Sequence, residues 1–123
     1  MTIQSYRDLI VWQKSMTLVT KVYRLTESLP SQERFGLAAQ LRASAVSIPA
    51  NLAEGHSGRS RADYRRFVAM ARGSLAELET RIEVGLRVGY IVSEMVPEIR
   101  SLTDEVGRML TTLHRKLRTR GAP

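Results

Sequence analysis

The 123-residue chain has no cysteine, two histidines, four prolines and three lysines, and aromatics make up 6% of it. Without cysteine there is no disulfide scaffold, no thiol nucleophile and no thiolate zinc site, and His56 and His114 alone are too few for a structural zinc. Long apolar runs are missing too. The longest charge-free stretch, Ala43 to Ala53, falls far short of the ~20 residues that span a bilayer, so no membrane partner is expected. Met1 to Ser5 has neither the basic start nor the apolar run of a secretory signal, and the expected location is cytoplasmic. The sequence also lacks a Gly-rich loop followed by Lys, a G-x-S-x-G elbow and the Glu-x-x-His pairs of helical di-iron proteins. The expectation is therefore a non-enzymatic protein with no cofactor and no metal.

What is present is 43% hydrophobic residues and 19 basic against 12 acidic side chains, for a net charge of +7. That suffices for one domain with its own core over residues 1–123. Apolar residues recur at helical spacing in four segments, about 8–28, 32–54, 61–88 and 94–118. In the first, Leu9, Trp12, Met16, Val19 and Tyr23 read as the core stripe, and Pro30 ends it. Ser31 is the expected N-cap of the second, with Leu37, Leu41, Ala45, Ile48 and Leu52 inward and a kink or break near Val46 caused by Pro49. Ser60 and Asp63 suggest a capping box for the third, which Gly89 stops. Ser93 is the expected cap of the fourth, whose first turn tolerates Pro97. Short connections make an all-α, antiparallel up-down-up-down four-helix bundle the economical arrangement.

The apolar pattern exceeds what one bundle needs. Val11, Leu18, Val22 and Leu25 form a second stripe on helix one. Helix two carries Ala39, Ala43, Val46 and Ala50 away from its core face, and helix three adds Met70 and Gly73. A helix without a charged face is usually covered all round, so these residues are the expected contacts of a homo-oligomer; the alternative is an Ala-rich, partly exposed helix in a monomer. Beside them Gln40, Ser44, Ser47, Asn51 and Glu54 recur at spacings of four and three residues. If covered, they must be hydrogen-bonded in a buried polar network, with Glu77 and Arg81 as partners. Such a network reads either as a site or as a structural device that fixes register.

The positive charge is concentrated. Residues 56–72 contain Arg59, Arg61, Arg65, Arg66 and Arg72 against Asp63, net +4, and residues 108–123 contain Arg108, Arg115, Lys116, Arg118 and Arg120 with no acid, net +5; against the total of +7, the remainder is −2. In an up-down-up-down bundle both windows fall at one end. Arg115 to Arg120 suit the C-terminal end of a helix dipole, but Arg61, Arg65 and Arg66 sit at the positive end of their own helix, where cations are mildly unfavourable. Phosphates are the expected partner, read by shape and charge rather than sequence, since no recognition helix or RNP motif is present. RNA or DNA is thus one expected partner, and the competing reading is a solvated basic face.

Several segments together resemble the 23S rRNA intervening-sequence family of four-helix bundle proteins: Leu9-Ile-Val-Trp-Gln-Lys14, Arg34-Phe-Gly-Leu37, Gln40-Leu-Arg42, Ser47-Ile-Pro-Ala-Asn-Leu-Ala-Glu-Gly55 and Gly73-Ser-Leu-Ala-Glu-Leu-Glu79. The family is similar to the accessory protein of diversity-generating retroelements, a pentameric bundle that binds nucleic acid and a reverse transcriptase. The resemblance implies an antiparallel bundle, a pentamer, and possible contact with a nucleic acid, a reverse transcriptase or another protein. It supplies no catalytic residues. A scaffold or adaptor with no direct nucleic-acid role is the alternative it leaves open.

Overall fold

The computed structural model describes residues 2–58 and 60–118. Among these the regular structure is wholly helical: α1 (Ile10–Glu27), α2 (Leu37–His56), α3 (Arg61–Arg87) and α4 (Pro97–Lys116), with 3-10 turns at Tyr6–Asp8, Ser31–Glu33 and Ser93–Met95. α2 and α4 each lie between α1 and α3, and the most extensive contact is α2 against α3. Lys14 of α1 pairs with Glu105 of α4 at 3.1 Å and Lys21 with Glu98 at 2.9 Å.

The helix ends follow local chemistry, partly as the sequence suggests. The Ser60 hydroxyl accepts from the Asp63 N–H at 3.1 Å and opens α3. Gly89 ends it with φ +84°, a conformation costly for any residue with a Cβ; the N–H groups of Tyr90 and Ile91 then return to the Gly85 carbonyl. Two expected caps do not form. Ser31 and Ser93 each begin a 3-10 turn and cap nothing through their side chains, so α2 starts only at Leu37, whose N–H is received by the Glu33 carboxylate at 3.0 Å. Pro49 does not break α2, which is continuous from Leu37 to His56. One i→i−4 bond is lost there, and the ring is buried against the core instead. Ahead of α1, the Asp8 carboxylate accepts from the N–H groups of Gln4 and Ser5, a closure the sequence reading missed.

The core corrects the reading of helix one. Val11, Leu18, Val22, Leu25 and Leu29 are buried, Leu18 and Val22 completely, and pack with Leu41, Ile48, Leu52, Leu78 and Leu110. Val11, Leu18, Val22 and Leu25 therefore cannot contact another subunit. The stripe expected inside is the peripheral one: Leu9, Trp12 and Val19 are half-buried against the core, and Met16 and Tyr23 are exposed. Spacing alone cannot choose between two apolar stripes, and the more aliphatic one fills the interior. Among the described residues no helix is long and apolar enough to cross a membrane.

Candidate functional site

Two surfaces stand out, a basic one where the start of α3 meets the end of α4 and an apolar one centred on α2. At the basic surface, an Arg61 terminal nitrogen donates to the Lys116 carbonyl, and Arg65 Nε donates to the His114 carbonyl at 3.1 Å. These bonds supply what the sequence reading did not find. Arg61 and Arg65 sit unfavourably for α3's own dipole, but they satisfy free carbonyls at the negative end of α4. These bonds give Arg61 and Arg65 a role within the fold, beside the phosphate partner expected for them.

Arg72 and Arg66 are engaged differently. An Arg72 terminal nitrogen lies 3.5 Å from His114 Nδ1. Arg66 pairs loosely with Asp63 at 3.7 Å and its guanidinium lies 4.6 Å from the centre of the Phe67 ring. Arg66, Arg72, Arg115, Lys116 and Arg118 are all exposed. Arg59 and Arg120 lie outside the described residues. His114 sits at the middle of the cluster. Burial and then the charges of Arg65, Arg72 and Arg118 hold its pKa below the ordinary 6.5. Between α3 and α4 an open pocket of about 220 Å³ is lined by Ala62, Arg65, Arg66, Ala69 and His114. Donors and positive charge gathered without a carboxylate lining the pocket can take up an anion.

The apolar surface spans three helices. On α2 Ala43, Val46 and Ala50 are exposed and Ala39 half-exposed. Met16 and Tyr23 on α1 and Met70 and Val84 on α3 join them, each 39–46% exposed. Tyr23 is tied to α2 by the Arg42 guanidinium, 4.9 Å from its ring centre, while Arg42 Nε donates to Thr26 Oγ1 at 2.8 Å. A Cβ placed on Gly73 would meet nothing within 4 Å.

The polar flank of α2 is assembled largely as expected. Ser47 and Ser74 hydroxyls lie 2.7 Å apart, and Asn51 Nδ2 donates to the Ser47 carbonyl and hydroxyl at 2.8 and 2.9 Å. Arg81 donates to the Gln40 carbonyl at 3.1 Å and to the Ser44 hydroxyl, and pairs with Glu77 at 3.2 Å. Ser74, not singled out from sequence, is its α3 centre. Within one chain only Ser44 and Ser74 are buried. Ser47 and Asn51 are half-buried, and Gln40, Glu54 and Glu77 are exposed. Among the described residues no three His, Cys, Asp or Glu side chains gather as a metal set.

An all-helical protein with an arginine-rich junction and an uncharged α2 face is the class these features define. The model of the 23S rRNA-intervening sequence protein family matches residues 7–112, and the chain belongs to that family. Among solved structures it is similar to a protein of unknown function from the S23 ribosomal protein family of Bacteroides thetaiotaomicron, at 26% identity and a TM-score of 0.79, over 86% of this chain and 96% of that one. Comparison with curated proteins finds no match.

Proposed function

We propose that the protein is a non-enzymatic, RNA-associated nucleic-acid-binding homo-oligomer, built as an antiparallel up-down-up-down bundle and using the α3–α4 basic junction for phosphate contacts. The observation that supports this best is the convergence of Arg65 and Arg66, which line one pocket with His114, and of Arg72 and Arg118, whose charges also act on His114. Arg suits bidentate phosphate contact, and several such contacts on one surface give affinity without sequence preference. Self-association through the α1–α3 apolar face, as the pentamer implied by the family resemblance, would repeat the basic junction around a ring and raise avidity.

The test is a salt series of binding to single-stranded RNA and duplex DNA with wild type and an Arg66/Arg72/Arg118→Gln triple variant, which leaves Arg61 and Arg65 on their α4 carbonyls. The expected result is a log–log salt slope shallower by about 0.7 for each lost phosphate contact on single-stranded RNA. Wild-type binding that ignores salt, or an unchanged slope in the variant, would sink the reading. A second reading, a protein-binding scaffold, is favoured by Phe35, which is 87% exposed in the turn ahead of α2. It predicts retention of a protein partner that survives RNase treatment and is lost on Phe35→Ser.

A further inference from the structure

Ala62, Arg65, Arg66 and Ala69 recur on α3 at helical spacing, and the two alanines on either side of the arginine pair leave the pocket open where longer side chains would fill it. Arg65 spends its Nε on the His114 carbonyl, so its two terminal nitrogens remain for a ligand. His114 closes the α4 side. An arginine has no acceptor, so the Arg72 contact at 3.5 Å engages Nδ1 only as an acceptor. The neutral ring then bears its proton on Nε2. Protonating Nδ1 disrupts that contact and places a further positive charge among Arg65 and Arg72 from α3 and Arg118 beyond α4. Arg108, Arg115 and Lys116 are further cations of α4, and Leu9, just before α1, with Ile10 and Val11 of α1, lines a pocket beside Arg108 and Lys116 and brings no charge. Asp63, the acid in the first turn of α3, is directed to Arg66.

A phosphate group reverses that balance. Its charge offsets the repulsion among the cations and its oxygens accept from an imidazolium, so anion binding and His114 protonation favour each other reciprocally. We propose that the α3–α4 pocket is a phosphate site gated by His114, which takes up a proton from solvent as the phosphate of a nucleic acid enters, so that binding tightens as pH falls. This deepens the reading of the basic junction given above and rests on it.

The decisive experiment compares salt slopes for a single-stranded RNA at pH 5.5 and pH 8 in wild type, H114Q and H56Q, His56 being the other histidine of the chain. Wild type and H56Q are expected to show a slope steeper by about 0.7 at the lower pH, one further cation on a phosphate, and H114Q the same slope at both. The His114 ring-proton NMR titration, run on wild type with and without RNA, is expected to show its pKa rising on binding; it decides the matter if H114Q loses helicity. RNA bound with an ordinary salt slope, but with no pH effect and an unmoved His114 titration, overturns the gate and leaves nucleic-acid binding standing. If no RNA binds at either pH, inorganic pyrophosphate separates the two ideas: a raised His114 pKa supports the pocket alone, and an unmoved one overturns both.

Discussion

α2 and α4 are of equal length, 20 residues each, and each packs against both α1 and α3, α2 the more extensively, yet they treat water in opposite ways. α4 turns a charged outer face to solvent with Arg100, Asp104 and Arg108, and reaches α1 through Lys14–Glu105 and Lys21–Glu98. α2 carries only Arg42, Glu54 and His56 as ionisable side chains, and Ala43, Val46 and Ala50 are exposed on its outer side. Position within one subunit does not explain the contrast, since both helices need only one apolar face. The difference teaches that the composition of α2 answers to a demand α4 does not share, and burial against other subunits is the demand we propose.

The largest effect should come from charging the outer side of α2. Val46→Arg is expected to weaken assembly at least 100-fold by light scattering, while the thermal midpoint of the isolated subunit stays close to that of wild type; Ser101→Arg on exposed α4 should leave assembly alone. An unchanged subunit number in Val46→Arg would erase the contrast between the two helices. Next in size, Arg81→Met removes the donor to Gln40 and Ser44 on the α2 flank and should cost about 1–3 kcal/mol in urea denaturation, because Ser44 is buried. On the α4 side, Lys14→Met should cost only about 0.2–1 kcal/mol, and less in high salt, because Lys14 and Glu105 are both more than a third exposed.

The smallest expected effect is that of pH. His114 has a folded pKa below its ordinary 6.5, so the unfolded chain takes up the proton first as pH falls. Its contribution to stability is full above about pH 6.5 and is lost below it. Denaturation midpoints should fall over that window in wild type and fall less in H114Q; equal pH dependence in the two would separate His114 from the stability of the α3–α4 junction.

The same two helices show what sequence could and could not reveal. The four helices were legible because Pro30 and Gly89 interrupt otherwise sustained apolar spacing. The inward stripe of α1 was not, because Leu18 and Val22 on one side and Met16 and Tyr23 on the other satisfy the same periodicity. The more aliphatic composition of the first stripe was the available signal, and Trp12 and Tyr23 in the second have polar groups that suit a boundary. Clustering of the arginines could be read from their positions along the chain. That Arg61 and Arg65 donate to carbonyls of α4 could not, since such bonds depend on which helix end lies opposite. Ser47 and Asn51 announced the polar flank of α2, and the spacing of Ser74 to Glu77 and Arg81 on α3 was the available signal for its partner.

The meeting of α2 and α3 through small groups has a consequence for how the fold opens. Ser47 faces Ser74, and a Cβ on Gly55 would come within 2.8 Å of Phe67 Cβ, so the two backbones approach where larger side chains would hold them apart. α4 buries Ile99, Val106 and Leu110 in the same core, but its outer contacts with α1 are long side chains, Lys14 and Lys21, that bend with little loss. Small groups in close contact have no slack, so α2 and α3 separate together or not at all. In hydrogen exchange the amides of α4 should therefore open through a lower-energy local unfolding, while those of the α2–α3 pair exchange last, as a single cooperative unit.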